Sequence, residues 1–210
     1  MLHSLLDFFG KAICHQLEER SLVASGEALA VCARDTGIYI GIFSTLIYLH
    51  MVKRNKAITI PSIRNSFLLL LLLVPLIVDG VGSYTHLFET SNIRRLITGI
   101  GFGMVLPYFL YPLLHKESVE QNSEPVIKGS KDVYIPLFLS SMIGSIFYIG
   151  IFSHLLLNSF IIITVIAWFS ICASFLFVSI KKRYIKCLLS ISFCFVFLTA
   201  LSALHRVLIG

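Results

Sequence analysis

Charged residues are scarce in this chain. Only 13% of its 210 residues are Asp, Glu, Lys or Arg, against about a quarter in an ordinary soluble domain. With 57% hydrophobic residues and a mean hydropathy of +0.88, that shortage excludes a disordered chain, whose composition runs the other way. Five cysteines are too few for a disulfide-built secreted miniprotein, and none form a CxxC pair. No Walker or dinucleotide loop is present: the glycines of GIGFG, residues 99–103, lie inside a hydrophobic run without the strand-turn-helix context a phosphate loop needs. The net charge of +6 does not indicate nucleic acid as a partner, because most of the basic residues sit at the ends of apolar runs and read first as topology signals.

What is there instead is apolar length. A spanning helix takes about 20 mostly apolar residues, and six segments qualify: 36–52, 62–84, 92–114, 134–157, 159–180 and 185–209. The fold class is therefore all-α, a polytopic membrane helix bundle of about six transmembrane helices. Lys53, Arg54, Lys56 and Arg64 follow the first span, Lys116, Lys128 and Lys131 the third, and Lys181, Lys182, Arg183 and Lys186 the fifth. The positive-inside rule makes those loops cytoplasmic and both termini extracytoplasmic, as expected of a multi-pass cell membrane protein with membrane lipids as its partners.

Residues 1–13 set Leu2, Leu5, Leu6, Phe9 and Ile13 on one helical face, with His3, Ser4, Asp7 and Lys11 opposite. This is the pattern of an amphipathic helix lying in the interface. Asp7 interrupts what a signal peptide would keep apolar, so the segment is expected to stay in the mature protein. The chain reads as one integral membrane domain, 1–210: an extracytoplasmic segment 1–35, three spans in 36–115, a polar cytoplasmic linker 116–133, and three spans in 134–210. No sequence repeat relates the halves. Gly37 and Gly41, and Gly99 and Gly103, are each four apart, which lets helix backbones approach closely. Pro75, Pro107, Pro112 and Pro136 lie in or at the edges of spans, where they kink helices.

The scarce polar residues collect toward one boundary. Asp79 is the only carboxylate inside an apolar run, roughly 20 Å along its span from Ser66. A charge in a span costs about 2.5–3.5 kcal/mol on insertion scales, so Asp79 needs a partner. Arg95 is the first candidate and Arg34 the second. Ser91 or Asn92 is placed to cap the next helix, and Asn92, Arg95 and Gly99 share a face of it. His154, His205 and His86 are expected at the same level, the fourth span ending at His154. The plain alternative is an Asp–Arg clasp with headgroup-level histidines.

The N-terminal segment carries Cys14-His15-Gln16, then Arg20, then Cys32-Ala33-Arg34-Asp35. Thiolate, imidazole and carboxylate are zinc-type ligands, so Cys14, His15, Cys32 and Asp35 are candidate ligands for a divalent metal ion such as zinc, although their spacing matches no standard finger. Cys14 and Cys32 can alternatively pair as a disulfide in an oxidising compartment. Gln16, Arg20, Tyr39, His86, Asn92, His154 and His205 complete the candidate pocket. Cys172, Cys187 and Cys194 read as small buried hydrophobes.

The order CHQ, ERS, VCARDTGIYIG, a span ending in DG, then SNIRRLITGIGFG resembles a multi-spanning membrane family, domain of unknown function 2085, over roughly the first half of the chain. By that resemblance the family pattern falls on Cys14, His15, Gln16, Arg20, Cys32, Arg34, Gly37, Tyr39, Gly41, Asp79, Gly80, Asn92, Arg95 and Gly99. At the position of Asp35 the family commonly has cysteine. Both residue types bind metals, but aspartate cannot join a disulfide. The resemblance implies a membrane fold and supplies no activity.

The functional expectation from these residues is a metal-dependent hydrolase or transferase acting on a lipid or lipid-linked substrate near the extracytoplasmic face. Asp79 would act as base, and Arg34 or Arg95 would stabilise developing negative charge. Two alternatives stand beside it: a thiol-disulfide redox protein using Cys14 and Cys32, and a small-solute transporter or binding protein with an Asp79–Arg95 polar site.

Overall fold

The computed structural model describes residues 2–85, 87–114 and 123–209. His86 and part of the linker, with Lys116, lie outside the described residues. In chain order the elements are α1 (Leu2–Lys11), a 3-10 turn (Glu18–Arg20), β1 (Ser21–Ala24), β2 (Glu27–Cys32), α2 (Ala33–Lys53), β3 (Ile58–Thr59), α3 (Ile63–Leu71) and α4 (Val74–Tyr84). Then come α5 (Asn92–Leu113), β4 (Glu124–Pro125), α6 (Lys131–Ile149), α7 (His154–Ala173) and α8 (Arg183–Ile209). Six helices, with α3 and α4 taken as one span, are long and apolar enough to cross a membrane. The chain is an all-α multi-pass membrane protein.

Span limits differ from the sequence expectation at one place that matters. The fourth span stops at Ile149, not at His154, because Gly150 takes a left-handed backbone (φ +69) that side-chain-bearing residues rarely adopt. Ser153 precedes the next helix, and His154 opens it. The apolar residues Ile151 and Phe152 hide this break from a hydropathy reading. The second span is likewise two helices, with Pro75 in the first turn of α4.

By its contacts the chain forms two compact units, one of Met1–Cys32 with Gly150–Gly210 and one of Ala33–Ile149. In the first, α1 packs on α7 and α8, burying Leu6 and Phe9. Ser202 Oγ donates to the Phe8 carbonyl at 2.7 Å, and the Phe9 and Phe195 rings meet edge to face. The N-terminal helix is amphipathic as its sequence demands. The β1–β2 hairpin is an addition: Ser25 and Gly26, both at positive φ, make the two-residue turn that matches strand twist, and Val23 pairs with Ala28 and Ala24 with Glu27.

An exposed strand edge is a liability wherever water is scarce, and here side chains cover it. Ala30 N donates to Asn158 Oδ1 at 2.9 Å. Gln16 Nε2 donates to both the Ala30 and Asp7 carbonyls at 2.9 Å. His154 Nε2 lies 2.9 Å from the Ala28 carbonyl.

The second unit is built on α2 against α5. A Cβ added to Gly37 would strike the Leu96 carbonyl, one on Gly41 the Ile100 carbonyl, one on Gly99 the Arg34 carbonyl, and one on Gly103 the Ile38 carbonyl. The two glycine pairs face each other, so main chain meets main chain. At one end of this unit Asp132 gathers partners: Lys53 Nζ at 2.9 Å, the Tyr48 hydroxyl at 2.7 Å and the backbone N–H of Lys128 at 2.8 Å. The Tyr108 hydroxyl donates to the Asp132 carbonyl. Nearby, β3 pairs in parallel with β4, and the Lys128 ammonium holds the Glu124 carboxyl below the usual carboxylate range.

Gly103→Leu is expected to lower unfolding stability in detergent by about 1–3 kcal/mol or more, because the Ile38 main chain cannot yield as a side chain would. Gly129→Ala, where an added Cβ meets nothing within 4 Å, is the control. An unchanged melting temperature for Gly103→Leu would refute the close helix contact.

Candidate functional site

The candidate residues of the second unit come together at the helix ends remote from Asp132. Arg34 lies in the first turn of α2, Asp79 in the middle of α4, and Arg94 and Arg95 in the first turn of α5. Asp79 is 1% exposed. Its Oδ2 accepts a hydrogen bond from Arg34 Nη2 at 2.7 Å, and its Oδ1 stands 3.5 Å from Arg94 Nη2. The Arg94 guanidinium also lies over the Phe88 ring, 4.8 Å from its centre.

The partner expected first for Asp79 was Arg95, and the structure corrects this. Arg95 is buried and its Nη1 donates to Asn92 Oδ1 at 3.0 Å. Arg95, Gly99 and Gly103 follow at intervals of four on the face of α5 turned to α2, so it is Arg94, about 100° around the helix, that reaches α4. The N-cap expectation holds in its first form, with Ser91 Oγ accepting from Arg94 N at 3.4 Å.

Two guanidiniums, those of Arg34 and Arg94, thus lie against one carboxylate, an excess of positive charge. Arg34 Nε is buried and makes no hydrogen bond among the described residues. The same unit holds a cavity of about 510 Å³, walled by Pro75, Ile93, Ile97, Gly101, Gly144 and Tyr148 among others, to whose lining none of Arg34, Asp79 and Arg94 contributes. Its α5 wall begins at Ile93, next to Arg94. Asp35 sits in the first turn of α2, and Tyr39 is buried on the same helix.

In the first unit Cys14 and Cys32 are neighbours: the Cys32 N–H meets Cys14 Sγ at 3.2 Å. His15 packs against His205, ring centres 5.4 Å apart and nearly perpendicular. Gln16 is occupied in tying α1 to β2, and Arg20 lies 3.5 Å from Glu19. His154 is buried, its Nδ1 3.2 Å from Glu27 Oε2 and its ring stacked on that of His3.

Sequence reasoning missed His3, Glu27 and Arg94. His3 was assigned to the polar face of α1 without regard to what that face meets. Arg94 was passed over for its neighbour because helix phase, unlike spacing, depends on where the next helix packs. Glu27 gave no signal without the hairpin.

Residues 14–109 match the family described as "Predicted membrane protein (DUF2085)", a stretch that carries Cys14, Cys32, Arg34, Asp79 and Arg94. An uncharacterized protein of Methanocaldococcus jannaschii is 36% identical over 101 residues, 48% of this chain and 63% of the relative. Another uncharacterized protein, of Methanothermobacter thermautotrophicus, is 33% identical over 104 residues, 49% of this chain and 88% of that relative. The match spans less than two thirds of the first relative's length. No solved structure matches.

Arg34→Gln is expected to destabilise the protein by about 3–5 kcal/mol, since it strands a buried carboxylate, whereas Arg94→Gln, at a half-exposed side chain, changes stability by about 1 kcal/mol or less. Combining Arg34→Met with Asp79→Leu is expected to recover most of the loss. Denaturant unfolding of the three variants beside the wild type checks this. Equal effects of Arg34→Gln and Arg94→Gln would contradict the geometry.

Proposed function

The chain belongs to the DUF2085 family of predicted membrane proteins, and for this multi-pass protein we propose a site that binds the anionic headgroup of a lipid or lipid-linked substrate and acts on it by hydrolysis or group transfer. The observation that carries the reading is the Arg34–Asp79–Arg94 cluster. It holds more guanidinium than carboxylate, and the same unit has an apolar groove of about 510 Å³ walled by residues of α4, α5 and α6. Guanidiniums bind phosphate oxygens through paired, charge-assisted hydrogen bonds.

In this reading Asp79 positions the arginines, its Oδ2 accepting from Arg34 and its Oδ1 facing Arg94. Arg34 and Arg94 hold the phosphate, and Arg95 supports the charge from the next position on α5. A divalent ion such as zinc would supply a Lewis acid for either reaction. The place of Arg34 and Arg94 in the first turns of α2 and α5 favours a boundary site over a polar path through the bundle. The basic residues Lys53, Arg54, Lys56 and Arg64 at the opposite ends of these helices support an extracytoplasmic orientation for it.

A second reading, thiol-disulfide exchange, is favoured by the 3.2 Å contact between Cys32 N and Cys14 Sγ. Two thiols would give one disulfide, passing two electrons and two protons to an acceptor such as a quinone.

Short-chain phosphatidic acid is expected to raise the melting temperature of the detergent-solubilised protein more than the matching diacylglycerol does. Arg94→Gln should weaken that response about tenfold or more in lipid concentration, the loss of one charge-assisted bond of about 1.5–3 kcal/mol. Equal stabilisation by the two lipids would leave an apolar groove without a phosphate site. For the thiol reading, alkylation in native membranes followed by mass spectrometry should find a fraction of chains with Cys14 and Cys32 joined. Complete alkylation of both, with or without added oxidant, would end it.

A further inference from the structure

The first unit carries a cluster that the lipid reading does not use. His3 on α1, Glu27 at the start of β2 and His154 at the start of α7 each offer one ligand atom, and these atoms lie within 4.8 Å of one another. The three come from segments far apart in the chain, brought together when α1 and the hairpin pack on α7. His3 and Glu27 are exposed, whereas His154 is buried, so the cluster has a rigid floor and an open mouth.

His154 turns one ring nitrogen to the hairpin and Asn158 and the other to Glu27. Its Nε2 lies 2.9 Å from the Ala28 carbonyl, which can only accept, and 2.9 Å from the Asn158 amide nitrogen. In the tautomer with the proton on Nε2, that proton serves the carbonyl and Nδ1 keeps a lone pair; in the other, Nε2 accepts from the Asn158 amide and Nδ1 carries the proton. That Nδ1 is buried without a hydrogen-bond partner among the described residues, yet stands 3.2 Å from Glu27 Oε2. With the proton on Nε2, the Nδ1 lone pair and the Glu27 carboxylate face one another and can be shared by a cation; with it on Nδ1, the ring meets the carboxylate directly. The His3 ring is stacked on His154, 5.3 Å between centres and 5° from parallel, and adds a second imidazole to the same opening.

We infer that His3, Glu27 and His154 form a binding site for a divalent transition-metal ion of the zinc class. Two imidazoles and a carboxylate are a donor set such ions favour. The contact from the second ring nitrogen to a backbone carbonyl is the support that metal-bound histidines ordinarily have. Tetrahedral bonds of about 2.0–2.2 Å put ligand atoms about 3.4 Å apart, a modest closure from the present spacing that the exposed side chains of His3 and Glu27 can supply by rotation. Three protein ligands leave a position open for water or an anion. The site is composed of nitrogen and oxygen donors and is separate from the thiols of Cys14 and Cys32.

The test is cobalt and zinc binding by the full chain, purified in detergent without a polyhistidine tag. One Co(II) per chain is expected, with the visible absorption of a low-coordinate nitrogen and oxygen site and without a thiolate charge-transfer band, and zinc should displace it. His3→Ala and Glu27→Gln should each weaken binding by about tenfold or more with little change in melting temperature, because both side chains are exposed. The double variant Cys14→Ser, Cys32→Ser should bind as the wild type does. Absence of stoichiometric binding, binding unaffected by His3→Ala and Glu27→Gln, or a thiolate band lost with the cysteines would each overturn the inference. None of these outcomes bears on the phosphatidic acid response, so the two proposals fail separately.

Discussion

Main chain lies against main chain where α2 meets α5, and the rest of the second unit depends on that contact. Lipid offers no hydrophobic drive for helices to associate, so the gain must come from dispersion and close fit, and the facing glycine pairs Gly37, Gly41, Gly99 and Gly103 make that fit possible. The consequence reaches both ends of the helices. At one end the Arg34 carbonyl lies against Gly99, which brings the Arg34 side chain to Asp79. At the other, Tyr48 of α2 and Tyr108 of α5 converge on Asp132. Each buried carboxylate is thereby paired with a cation, as a low-dielectric setting requires.

The first unit solves a different problem with the same economy of polar groups. A two-stranded hairpin has edges, and its N–H and C=O groups must be met where water is scarce. Gln16, Asn158 and His154 supply those bonds. Gln16 and His154 therefore have structural duties, and the functional claim on His154 rests only on the ring nitrogen that those duties leave over.

How much of this was legible in the sequence follows from which forces act locally. Spans were readable because twenty apolar residues have few other fates, and the amphipathic face of residues 1–13 reappears in α1. The glycine pairs announced close packing. Gly150 ended a span inside an apolar stretch, and hydropathy carries no record of a left-handed backbone. Asp79 advertised that it needed a cation, since its charge is expensive in any arrangement. The identity of that cation was hidden, because Arg94 and Arg95 differ only in which neighbouring helix they face.

By itself the sequence determined the membrane class, the six apolar spans and the existence of a small set of polar residues that had to be satisfied, because these follow from composition and from local spacing along a helix. Tertiary structure alone decided which of those residues meet. Arg34 rather than Arg95 closes on Asp79, His15 goes to His205, and His3 and Glu27 arrive at His154. Such pairings depend on the rotation of each helix about its axis and on the hairpin between α1 and α7, and those are set by contacts between segments distant in the chain.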